Sequence, residues 1–295
     1  MKLSKKQLGI VALLGYAFLA STMGILVREM DTVFTSFQQV YLRAFIGFLF
    51  AVLIYRKRIN IQKFKKLQRK QWGILLLRSL SLYVFGVVLF SKSIVLTTYS
   101  NVNFIFAIPF TAILGFLLLK ERLNIRKSIL VLLAFVGVLI ISVEDFTNIF
   151  SVGLGETLAF ISAFFYSFSS ILRKFQSKEL NNQEITVAML LIGSTMVFIT
   201  SIFTGNDFTN FVNITPSVLI ALVIAGLWNT LMGLFINYGF SKIDAVVAGN
   251  IIFIETVFAV LISIIVYKEF PDIFEWLGAL LVILSAYWMN KESGN

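Results

Sequence analysis

In the run "AGNIIFIETVFAVLISIIVY" (248–267) a single acid, Glu255, has at least seven uncharged residues on either side. A carboxylate in such a setting can hold an ammonium group or take up and release a proton. At the middle of a bilayer it costs about 2.5–3.5 kcal/mol on insertion scales. A partner, water in a cavity or protonation has to offset that. Arg43, in "YLRAF" (41–45), is the other charge expected at comparable depth. The two could form a structural ion pair, or each could face a ligand. Intramembrane ionisable groups default to function, so Glu255 is read as a substrate-binding and coupling carboxylate.

Helical spacing adds polar neighbours. Comparing the chain with itself at a separation of 148 lays Glu255 over Ala107, with Asn103 one turn before and Thr111 one turn after. Ser162, Tyr166, Ser169 and Arg173 form one polar stripe at i, i+4, i+7 and i+11. Tyr16 falls over Ser162 at a separation of 146. Trp228 and Asn229 lie at mid-depth between Gly226 and Gly233, whereas Trp72, Trp276 and Trp288 fall at run ends, as interfacial anchors do. The candidate substrate-binding set is therefore Glu255, Asn103, Tyr16, Tyr166, Trp228, Asn229 and Arg43. Arg78, closer to the cytoplasmic end of its run, is expected to snorkel to the surface.

These groups are set in an apolar chain: 58% of the 295 residues are hydrophobic and 14% charged, with a mean hydropathy of +0.90. A soluble domain carries about 25% charged residues, so an all-α membrane protein is expected. There is no cysteine and no histidine, which removes thiol catalysis, disulfides and the usual zinc and haem sites. No cofactor and no metal site are expected. The net charge of +10 lies in short connections, where membrane topology places it, so nucleic acid is not read as a partner.

Ten apolar runs are long enough to cross: about 8–27, 33–55, 71–91, 94–118, 126–143, 152–173, 185–204, 216–239, 244–267 and 272–290. "MKLSKKQ" resembles the start of a signal peptide, but the run Gly9–Val27 is too long for one and is read as a retained first span. With the N-terminus inside, the inner connections hold twenty Lys and Arg and the outer ones three, Arg28, Lys92 and Lys268. The positive-inside rule then puts both termini in the cytoplasm of a multi-pass protein of the bacterial inner membrane. The 148-residue offset also matches Lys120-Glu121 to Lys268-Glu269 and Ser93 to Ser241. Five runs per half is an odd number, so residues 1–147 and 148–295 are expected to be two inverted five-helix repeats, the arrangement of alternating-access carriers.

The stretches "IPFTAILGFLLLKERLNIRKSILVLLAFVGVLI" (108–140), "IETVFAVLISIIVYKEFPDIFEWLGALLVIL" (254–284) and "YLRAF" carry a resemblance to the EamA-type branch of the drug/metabolite transporter superfamily. The likeness implies a central cavity among spans one, three, four, six, eight and nine. Relatives often read E-P-V-F-A in span nine; here Thr256 stands in the proline's place. The function expected is secondary transport of a small polar or amphipathic metabolite, an amino acid or related amino-bearing compound, by alternating access. An S-adenosylmethionine or nucleoside-like cargo is the alternative that some relatives suggest. Proton coupling through Glu255 and facilitated diffusion are both compatible with the residues, as are monomer and homodimer. A membrane-embedded enzyme lacks paired carboxylates, His and Cys, and a channel would not need the repeat. The partners expected are the small-molecule substrate and the lipid bilayer, with protons added where Glu255 couples transport to them.

Overall fold

The computed structural model describes residues 4–97, 99–121, 124–142, 153–205, 214–266, 268 and 270–292. The expected 147/148 boundary and the loop residues Lys2, Arg122 and Glu269 lie outside the described residues. Every regular element among the described residues is a helix. In hydrocarbon no water is at hand to bond a stray N–H or C=O, so each crossing segment must satisfy its own backbone. Ten helices are long and apolar enough to cross a bilayer: Lys5–Asp31, Ser36–Arg58, Arg69–Leu96, Asn101–Leu119, Ile125–Ser142, Leu154–Phe175, Asn182–Phe203, Pro216–Lys242, Ala245–Ile262 and Ile273–Glu292. They are numbered here as spans 1 to 10.

Polar residues decide where several spans begin. Ser4, Thr35 and Asn181 each accept from the backbone N–H three residues on, while Gln7, Gln38 and Glu184 reach back to the cap. Thr215 caps span 8 just ahead of Pro216, whose missing donor costs nothing in the first turn. Glu184 also accepts from Asn60 N at 3.0 Å and Lys63 Nζ at 3.2 Å, which pins the basic helix Ile61–Lys66 to span 7.

Span 3 runs on to Leu96 rather than ending near residue 91. Lys92 does not mark a connection, because its ammonium sits 4.8 Å from the centre of the Phe37 ring. That contact lets the charge stay beside the helix. Residues Leu80–Val88 of this span are wound as a π-helix. The Gly86 carbonyl in that segment accepts from Ser162 Oγ of span 6 at 2.8 Å.

Spans 4 and 9 are each broken near mid-length. Span 4 stops as Tyr99–Phe106 and resumes as Phe110–Leu119 after Pro109. Span 9 is interrupted at Phe253, between Ala245–Ile252 and Ile254–Val266, although it lacks the proline. Lys120 and Lys268, one repeat apart in the sequence, both have left-handed backbones, with φ of 54° and 58°.

The packing has a regular plan. Span 1 lies on spans 8 and 9, and span 6 lies on spans 3 and 4. Span 2 lies on 8 as span 7 lies on 3, and spans 2 and 7, 4 and 9, and 5 and 10 pair with each other. Adding five to a span number, or subtracting it, maps this plan onto itself. Spans 5 and 10 meet at their backbones: a Cβ on Gly137 would stand 2.8 Å from the Gly278 carbonyl oxygen.

Candidate functional site

The two breaks face a common hollow. A cavity of about 140 Å³ is lined by Tyr16 of span 1, Asn103 of span 4, Tyr166 of span 6 and Glu255 of span 9. Phe90 and Phe106 add aromatic wall, and Phe106 packs edge-on to Tyr166 at 5.7 Å between ring centres. Thr111 donates to Ser167 at 3.1 Å, joining spans 4 and 6 at its floor. Glu255 stands in the first turn of the helix that restarts after Phe253. There the amide dipoles of the turn favour a negative group. Glu255 is within electrostatic range of both tyrosines. Among the described residues neither its carboxylate nor the two hydroxyls has a hydrogen-bond or ion-pair partner.

Four of the expected site residues, Glu255, Asn103, Tyr16 and Tyr166, are thus brought together. Asn229 is placed in a second, smaller hollow of about 60 Å³ that shares Tyr16, Tyr166 and Ser170 with the first. Trp228 lines neither hollow: its Nε1 donates to Thr22 Oγ1 at 2.8 Å, so the indole ties span 8 to span 1. Arg43 lines neither hollow and makes no pair with Glu255. It is 1% exposed and donates from Nη2 to Ser91 Oγ at 3.1 Å, with Nε and Nη1 unpartnered. Its mid-span position carried no information about direction, and it points to the seam between spans 2 and 3 instead.

Arg78 does not snorkel. It is 2% exposed, and its guanidinium donates to the Ser169 carbonyl at 3.0 Å, to Asn237 Oδ1 at 2.7 Å and to Gln176 Oε1. Ser169 returns a bond from its Oγ to the Arg78 carbonyl at 3.0 Å. The polar stripe of span 6 is accordingly shared between helix–helix bonds, through Ser162 and Ser169, and the cavity, through Tyr166. Sequence reading passed over Ser167, Ser170, Met232 and Phe106. Ser170 could have been found, because it lies one turn beyond Tyr166 on the same face. Among the described residues no group of three His, Cys, Asp or Glu gathers to hold a metal ion.

A model of the EamA-like transporter family matches the chain twice, over residues 7–143 and 153–291. The chain belongs to the EamA-like transporter family. It is a multi-pass membrane transporter, as the ten apolar helices and the named relatives agree. An uncharacterized transporter of Synechocystis is 28% identical over 82% of this chain and 73% of its own length. S-adenosylmethionine uptake transporters of Rickettsia felis and Rickettsia conorii are each 23% identical. They cover 81% and 90% of this chain, and 79% and 86% of their own lengths. A protein of known crystal structure superposes with a TM-score of 0.79 at 15% identity, covering 98% of this chain and 97% of that one. A likeness at that identity shows the fold alone. Within the EamA-like family frame, the two matches fall on either side of the residues in which the sequence boundary was expected.

Proposed function

We propose that this EamA-like transporter moves a small amino-bearing metabolite, of about amino-acid size, through the cavity at Glu255. The halves 1–147 and 148–295 act as inverted repeats that expose this cavity to one face at a time, in a bacterial inner membrane with both termini cytoplasmic. The carrying observation is charge: among the described lining residues Glu255 is the one charged group, and aromatic rings and amide or hydroxyl groups make up much of the rest. Such a site favours a cation that also presents an apolar body, since ring faces attract ammonium groups as well. No residue set for covalent chemistry accompanies it, and the protein is read as a carrier and not an enzyme.

The Rickettsia relatives favour a second reading, S-adenosylmethionine, which is also cationic. Size separates the two. At about 140 Å³ the cavity is roughly half the lower end of pockets that hold drug-sized ligands, about 300 Å³. An amino acid fits that space, and a nucleoside derivative needs a wider state of the carrier. The test is uptake into liposomes by the reconstituted protein, with amino acids and S-adenosylmethionine offered as competing cargos. Amino-acid uptake that Glu255→Gln abolishes supports the first reading. Uptake of S-adenosylmethionine unaffected by excess amino acid refutes it.

A further inference from the structure

The connection between spans 2 and 3 concentrates positive charge. Residues 56–70 hold eight of the twenty Lys and Arg counted on the inner side, and no acid. The connections after spans 4, 6 and 8 and the C-terminal end each include one: Glu121, Glu179, Asp244 and Glu292. Lys63 is paired with Glu184 at 3.2 Å. The other seven cationic side chains are exposed, and among the described residues none has a hydrogen-bond or ion-pair partner. Like charges gathered this closely repel one another, and an anion from outside the chain relieves that repulsion.

The place of this patch is set by the two spans it joins. Arg56, Lys57 and Arg58 are the last residues of span 2, and Arg69 and Lys70 the first of span 3. Long cationic side chains at span ends stand at the level of the lipid headgroups. Between them the helix Ile61–Lys66 turns Ile61 outward, 69% accessible, one turn from the exposed Lys65. Phe64 is held inward against Trp72, at 6.2 Å between ring centres. An apolar side chain set among cations beside a span is the pattern of a segment that sits on the membrane surface. The segment is also held in shape. Glu184 accepts from Asn60 N, and Asn181 Nδ2 donates to the Arg58 carbonyl at 2.8 Å, so the first turn of span 7 fixes it. Lys57, Arg58 and Lys63 line an open basin there. Glu184 borders the basin as well, but its oxygens are already taken by Asn60 N, Asn181 N and Lys63.

We propose that this patch is a docking surface for the headgroups of anionic phospholipids of the surrounding bilayer, with Lys57, Arg58, Lys65 and Lys66 as its cations and Ile61 as its apolar contact. Clusters of four to eight Lys or Arg immediately beside a span attract anionic lipid in this way. Position favours lipid over a soluble acidic partner. The patch lies in the layer where lipid phosphates are already dense, and a soluble partner would have to displace them to reach it.

The experiment titrates the purified full chain in detergent with phosphatidylglycerol and with phosphatidylcholine of the same acyl chains, counting bound lipid by native mass spectrometry. Phosphatidylcholine keeps the phosphate and cancels its charge. Each Lys or Arg near an anionic surface contributes about fivefold in affinity, so wild type is expected to prefer phosphatidylglycerol by at least about fivefold. The variant Lys57→Gln, Arg58→Gln, Lys65→Gln, Lys66→Gln loses most of that preference. A control that removes four exposed cations from other inner segments, Lys5→Gln, Lys120→Gln, Lys178→Gln, Lys242→Gln, keeps it. Should the patch variant not fold, the double variant Lys65→Gln, Lys66→Gln takes its place. A smaller preference in wild type overturns the proposal and leaves the patch to a soluble acidic partner. A preference that survives in the patch variant, or an equal loss in the control, overturns it too, because the charge of the whole inner face would then be the cause. Displacement of the lipid by glycerol 3-phosphate at equal concentration would make a soluble phosphate the occupant, and also overturns it.

Discussion

A carboxylate at mid-membrane is tolerated only where several modest effects act together. The insertion cost of about 2.5–3.5 kcal/mol exceeds what a helix N-terminus returns, typically about 0.3–1 and at most about 2 kcal/mol. The first-turn position of Glu255 therefore covers part of it, and the open hollow beside the group supplies the rest through water or a bound cation. This makes a prediction for coupling. If protons drive the carrier through Glu255, the Gln variant in liposomes exchanges cargo across the membrane but no longer accumulates it against a gradient. Uphill accumulation at the wild-type level in that variant excludes the role. Trp228 gives a contrasting case. Trp228→Phe loses the bond to Thr22 and is expected to lower stability by about 0.5–1.5 kcal/mol, seen in thermal unfolding, with cargo affinity unchanged. An affinity loss of tenfold or more would instead return the indole to the site. The difference between these residues explains how far the sequence could be read. A polar type inside an apolar run announces that a group is unusual, which singled out Glu255; the internal repeat and helical spacing then led to Asn103, Tyr16 and Tyr166, which line the same cavity. The type does not say where the side chain points, and Arg43, Arg78 and Trp228 each point to a seam between helices.

Helices are legible from length and apolar content, and all ten appear where the runs lie. Their interruptions are not. Pro109 marks the break in span 4, but span 9 breaks at Phe253 with no residue that forbids a helix there. The continuation of span 3 past Lys92 was hidden for a similar reason, because a charge reads as a connection until its partner ring is known. Backbone conformation yields a prediction at this scale. A left-handed turn costs an L-residue about 1–2 kcal/mol, and glycine is the usual occupant of such a helix-ending position. Lys120→Gly, at φ 54°, is expected to raise stability by up to about 1 kcal/mol, partly offset by the freer unfolded chain. A fall in the thermal midpoint would show that the Lys120 side chain contributes more than its backbone costs. Gly137→Ala has the opposite sign. The added methyl would stand 2.8 Å from the Gly278 carbonyl oxygen and 2.9 Å from Val282, and overpacking of this order costs about 1–3 kcal/mol.

At the scale of the molecule, the pairing plan that maps onto itself under exchange of the halves has one practical result. Glu121, at the end of span 4, accepts from the Ala245 and Val246 N–H groups at 2.8 and 3.0 Å, clamping the first half to the start of span 9. Arg78 clamps span 3 to spans 6 and 8. With both termini cytoplasmic, as proposed, both clamps lie on the cytoplasmic side, and in an alternating-access cycle opening that side requires both to release. Glu121→Gln weakens one without removing its shape, and is expected to raise labelling of cysteines introduced around the smaller hollow by a membrane-impermeant reagent added from the cytoplasmic side. No rise in labelling would mean that the clamp does not limit opening.

The seam between spans 5 and 10 stands in contrast to those side-chain ties. At Gly137 and Gly278 main chain touches main chain, with nothing between that could rotate, extend or be squeezed aside. If the halves rock as proposed, one place must not travel, and this close backbone contact fits that role. Because the native chain contains no cysteine, spin labels could be set at exposed Leu132 and Leu280 (57% and 51% accessible) without background. Their separation should stay constant through a transport cycle while distances across the opposite rim lengthen and shorten, which would identify the pivot directly.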